Sequence, residues 1–127
     1  MKFKTPSILE KIEQKIETSY KLPIFKGYVA INKTGVEKLI DEIYENLPQD
    51  LIMARKFLEE NNYDLGKIQK TSHANKLYNY LQELEIIFNK ALNVATFALV
   101  NVKEIENILN RISDNIPEEI TDAERLH

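Results

Sequence analysis

Ser72 and His73 place a hydroxyl nucleophile beside an imidazole base, and acyl transfer could use them only if the base faced the hydroxyl. Adjacent residues on a helix point apart, and no third group is fixed nearby to orient the imidazole. The pair therefore reads as a helix cap next to an exposed histidine. Glu42, Glu45, Asp50, Glu59 and Glu60 could supply an acid and a base, but they fall at polar positions of amphipathic helices and read as a solvated face. A carboxylate metal site in a bundle wants Glu-x-x-His pairs projecting inward, and the chain has none. Its two histidines are His73 and His127 and it has no cysteine, so neither a metal site nor a disulfide is expected. Gly27, Gly35 and Gly66 are too far apart to cradle a phosphate. Lys67, Lys70, His73 and Lys76 form a modest basic strip, while the net charge of −3 argues against nucleic acid as the main partner. The expectation is no catalytic residue, no cofactor and no metal.

Aromatic residues are the more suggestive class. Phe25, Tyr28 and Phe97 fall in extended stretches, and Tyr63, Tyr78 and Tyr80 lie around the middle of the chain. Exposed together, such side chains make a surface for a protein partner. Phe25, Tyr28, Ile31, Tyr63, Tyr78, Phe97 and Leu99 are the candidate interface.

What positions them is a repeat. Val36 to Leu51 returns as Ile105 to Ile120 at an offset of 117 − 48 = 69 residues. Under it Val36, Leu39, Ile40, Ile43, Leu47 and Leu51 fall on Ile105, Ile108, Leu109, Ile112, Ile116 and Ile120, and Asn46, Pro48 and Ala54 recur as Asn115, Pro117 and Ala123. This is an internal duplication. Each copy is expected to run helix, extended segment, helix, proline break, helix, within units 1–62 and 63–127 of one compact body.

The spacing predicts helix A over about 7–20, capped by Thr5 or Ser7, with Ile8, Leu9, Ile12, Ile16 and Tyr20 on one stripe. Residues 22–31, rich in β-branched and aromatic side chains around Gly27, read as extended. Helix B follows, capped by Asn32 or Thr34, and Pro48 is expected to end it and open helix C. Residues 61–72 read as a linker. Thr71 or Ser72 then caps helix A′, whose stripe runs from Leu77 to Leu92 and is the most hydrophobic, hence expected at the centre. Residues 93–101 could continue the helix, given their alanines, but 95–100 read as a strand because their twin is extended; 102–114 read as helix B′, and Pro117 starts helix C′. Around a pseudo-twofold axis the segments 28–31 and 96–100 can pair antiparallel, because a lone strand leaves its backbone polar groups unbonded.

Leu9-Glu10 on a helix, Leu22-Pro23, Gly27, Ile31-Asn32, Leu39 to Ile43 and Leu47-Pro48-Gln49-Asp50 with Ala54 together resemble the N-terminal module of a cyanobacterial family labelled DivIVA-like or similar to the ATP synthase b subunit. The likeness covers about residues 8–58, and 77–126 fits more loosely. Asn32-Lys33 stands where that module usually has an acidic pair, and no long coiled-coil tail follows. The resemblance implies a cytoplasmic self-associating or scaffold module with a cell-division or membrane-complex association, and no catalysis. Leu58 to Asp64 with Leu77 to Leu81 is also similar to helical bacteriocin immunity proteins, which the duplication and the extended segments fit badly.

The sequence thus predicts a mostly α protein with two short strands, built as tandem helix-strand-helix-helix repeats in a pseudo-twofold bundle. A non-enzymatic interaction or scaffold role is expected, with a protein partner or a second copy. An immunity-like bundle and a nucleic-acid-associated regulator are the alternatives. No apolar run approaches 18 residues, so no membrane span is expected, and the N-terminus lacks the apolar stretch of a signal peptide.

Overall fold

The computed structural model describes residues 3–67 and 73–126. The fold is mostly α, with five α-helices among the described residues on one side of a four-stranded antiparallel sheet. Helix α1 (Lys4–Glu17) buries Ile8, Leu9, Ile12 and Ile16 at three- and four-residue spacing. It starts earlier than the spacing predicts and ends earlier too. Tyr20, expected on its last turn, lies on a two-residue strand, β1 (Tyr20–Lys21). Strand β2 (Tyr28–Asn32) follows, and the Asn32 side chain accepts the Gly35 amide at 3.0 Å to cap α2 (Lys33–Glu60).

Helix α2 overturns one expectation. Pro48 does not end it: the helix runs unbroken for 28 residues with the proline inside. The ring lies on the exposed side, away from the face that the helix packs on the core. Leu47, Asp50, Ala54 and Leu58, on the buried side, hold the two segments in one rod. This long rod, packed on α1, α5 and α3, occupies the centre that helix A′ was expected to take.

After a turn at Asn61 and Asn62 and a 3-10 turn at Leu65–Lys67, residues 68–72 and the side chains of Lys67 and His73 lie outside the described residues. With them go the proposed Thr71 or Ser72 cap, the Ser72–His73 pair and most of the basic strip. Helix α3 (His73–Lys90) buries Leu77, Leu81, Leu84 and Phe88. It stops short of Leu92, which begins β3 (Leu92–Val94), and β4 (Phe97–Asn101) leads into α4 (Val102–Asp114). Here the Asn-x-Pro element does break the rod: Asn115 ends α4, buried Pro117 turns the chain, and α5 (Glu118–Leu126) packs back on α2. Pro48 and Pro117 therefore sit in unlike settings, against the expectation of two equivalent corners.

The duplication itself is written in the sheet. Its strand order is β1-β2-β4-β3, all antiparallel, where two strands were expected. In the central pair Ala30 lies opposite Leu99, and 30 and 99 differ by the repeat offset of 69. The pseudo-twofold axis thus passes through that pair. It relates Val29 and Ala98, Ile31 and Val100, and the two flanking hairpins. Tyr20 pairs with Ala30 as Leu92 pairs with Leu99, so across the first helix the offset is 92 − 20 = 72. Three residues are missing from the second hairpin.

The halves are stitched at both ends of the central pair. The Lys33 amide donates to the Thr96 carbonyl at 2.9 Å and the Val102 amide to the Gly27 carbonyl at 2.7 Å, so each half's turn caps the other half's helix. Asn101 accepts the Glu104 amide at 3.2 Å as Asn32 accepts that of Gly35. One apolar core runs through both halves, from Phe3 and Ile12 to Ile120 and Ala123.

Candidate functional site

Side chains alternate across a strand, so the register sorts every sheet residue to one face or the other. Val29, Ile31, Ala98 and Val100 are buried against the helices. The other face carries Tyr28, Ala30 and Asn32 on β2 and Phe97, Leu99 and Asn101 on β4. At its edges lie Tyr20 and Leu22 on one side and Leu92 and Val94 on the other. In a chain that is 29% charged, none of these ten positions holds a charge. Tyr20 is 78% exposed and Leu92 68%, and Tyr28, Phe97 and Val94 are exposed as well. A solvated sheet face alternates apolar-in with polar-out; this one does not.

Of the seven candidate interface residues, Phe25, Tyr28 and Phe97 are exposed on or beside this face, and Leu99 is half-buried at its centre. Tyr28 and Phe97 are equivalents under the repeat and stand at opposite corners of a diagonal, with the two capping asparagines at the other corners. Ile31 does not belong: it is 2% exposed on the inward face, because it is one residue out of phase with Tyr28 and Ala30. Tyr63 and Tyr78 lie elsewhere. The Tyr63 hydroxyl donates to Asp122 Oδ2 at 2.6 Å, joining the end of α2 to α5, and that bond is the first cause of its raised pKa. Tyr78 stacks on Tyr44 with ring centroids 5.5 Å apart, joining α3 to α2. Burial, and then the Glu85 carboxylate beside it, push the Tyr44 phenol up to about 12.

Tyr20, Leu92 and Val94 escaped the sequence reading, since each continues the apolar stripe of the helix before it or is too short a strand to show alternation. Ile24, at the tip of the first hairpin, is 85% exposed. That hairpin, longer by three residues, overhangs the end of β4 where α4 begins. A groove of about 620 Å³ opens there between Leu22, Phe25 and Tyr28 on the hairpin side and Ile86, Lys90 and Leu92 on the other. The second hairpin turns through Ala95 and Thr96 alone, with Ala95 at φ 55°.

One of the carboxylates expected on a solvated face departs from it, and Glu42 is half-buried. Glu45, Glu59 and Glu60 are exposed, but Asp50 is buried. Its Oδ2 accepts the Thr5 amide at 2.7 Å and the Thr5 hydroxyl at 2.6 Å, and its Oδ1 accepts the Lys4 amide at 3.3 Å. A residue on α2 thereby caps α1, whose own N-cap position, Phe3, has no side-chain acceptor. The equivalent residue, 50 + 69 = 119, is Glu119, which instead accepts Arg55 Nε at 3.2 Å and Nη2 at 3.0 Å. These are structural bonds with no free base among them. Among the described residues no three His, Asp or Glu side chains gather where they could hold a metal ion, and no helix is long and apolar enough to cross a membrane. No family model, no curated protein and no solved structure matches this chain.

Proposed function

We propose that the protein is a non-enzymatic interaction module and that the outward face of its sheet is where a protein partner docks. The observation that carries this is the uncharged row structure of that face, with exposed Tyr20, Tyr28, Leu92 and Phe97 around a central strand pair whose other side is buried in the core. Aromatic side chains free of charge are what the centre of an interface is made of. Leaving them in water costs about 25 cal/mol per Å² of apolar surface that a partner would cover. The likeness of the first repeat to a scaffold module points the same way.

Photo-crosslinking tests it. With a benzophenone amino acid at Phe97, and separately at Glu10 on the exposed side of α1, discrete protein adducts are expected in the native cell from the first position only. Equal labelling from both, or none from Phe97, removes the reading.

A further inference from the structure

Resting on that interface, we propose that its occupant is a second copy of this chain, the two sheets stacking outward face to outward face. Face docking is favoured over pairing of edges. Strands β1 and β3 are two and three residues long, and Lys21 guards the first edge, both devices that discourage strand addition.

A second copy is the occupant that the face itself specifies. The chain carries a net charge of −3, yet none of that charge lies on this face, so two copies can meet there without like charges opposed. The charges that line the adjoining groove, Lys90 and Glu104, are one of each sign and leave the apolar positions between them to carry the contact. The area is adequate: Tyr20, Phe25, Tyr28, Phe97, Leu92 and Val94 at their observed exposures present on the order of 800 Å², the amount one partner contributes to a stable interface. Symmetry adds to this. The intrachain axis runs through Ala30 and Leu99, so the face is already related to itself by a half-turn. A twofold lying in the interface then closes the assembly, with four like units and no exposed apolar sheet.

Sedimentation velocity of the full chain across the micromolar range is the test. The wild type is expected to approach twice 14.8 kDa as concentration rises. Leu92→Lys and Phe97→Lys, each with an unchanged helical circular dichroism spectrum, should weaken association at least about tenfold. Ile52→Lys, the same kind of change at an exposed apolar residue of α2, should leave it unchanged. A wild type that stays monomeric, or an Ile52→Lys variant as impaired as the other two, overturns the proposal. If a face variant fails to fold, concentration-dependent amide shifts of wild-type residues 28–32 and 97–101 in solution spectra read the same contact, and their absence overturns it. A monomer that binds anilinonaphthalenesulfonate, with binding lost in Phe97→Lys, sinks self-association but keeps the docking face. A monomer that binds no dye sinks both.

Discussion

Asp50 shows how one residue's role depends on what lies opposite it. Its carboxylate satisfies two backbone amides and a hydroxyl at the start of α1 in a buried setting. Asp50→Ala leaves all three donors without that acceptor and should cost about 2 kcal/mol in urea denaturation. Glu119→Gln loses an ion pair whose arginine is 62% exposed, and the cost should stay within about 1 kcal/mol. Near-equal losses would mean that the Asp50 cap is not distinctive. Ala95 holds a left-handed conformation that a Cβ disfavours by roughly 1–2 kcal/mol. Ala95→Gly relieves that but gains chain entropy in the unfolded state. A net stabilisation of about 0.5 kcal/mol is expected, read from the thermal midpoint.

Among the elements, α2 and its counterpart pose the sharper question. Asn46 donates to the Glu42 carbonyl at 2.7 Å and Asn115 to the Arg111 carbonyl at 2.7 Å, so the two Asn-x-Pro segments make the same local bond. One continues as helix and the other stops. The difference lies in what each is docked on: Asp50 ties the far half of α2 to α1, whereas Glu119 and Asp122 tie α5 to α2. Proline inside a helix costs about 3 kcal/mol relative to alanine, so Pro48→Ala should raise stability by up to that amount, checked by the urea midpoint. Pro117→Ala, which removes a buried ring at a turn outside a helix, should instead lower stability, by about 1 kcal/mol. Burial of the Tyr44 phenol between α2 and α3, beside Glu85, adds a pH dependence. The Tyr44 pKa is raised from 10.0 to about 12 in the fold, so its contribution is complete below pH about 10 and is lost as pH rises through about 12. Tyr44→Phe should flatten the alkaline fall in stability between those values, as followed by circular dichroism.

At the scale of the whole molecule the halves are mutually dependent. Each supplies the carbonyl that caps the other's helix and one of the two central strands, and the core is shared. A fragment of residues 1–67 is expected to be largely unfolded at low concentration and to gain helix as concentration rises, two copies re-forming the β2–β4 pairing between chains. Concentration-independent helicity of a strictly monomeric fragment would show instead that the half is self-sufficient.

The order of helices and the two central strands was legible because apolar spacing is a local signal. The buried stripes of α1, α2 and α4 fall where periodicity puts them. The antiparallel pairing of the repeated segments follows from the duplication, and so do Tyr28 and Phe97 as equivalent surface residues. Strands β1 and β3 were not legible, since two or three residues cannot display alternation and both continue a helical stripe. Nor could Ile31 be assigned to a face before the register was known. The fates of Pro48 and Pro117 belong to tertiary structure alone. The local sequence, Asn-x-Pro, is the same in both places, and the continuation of each helix is decided by contacts with residues dozens of positions away.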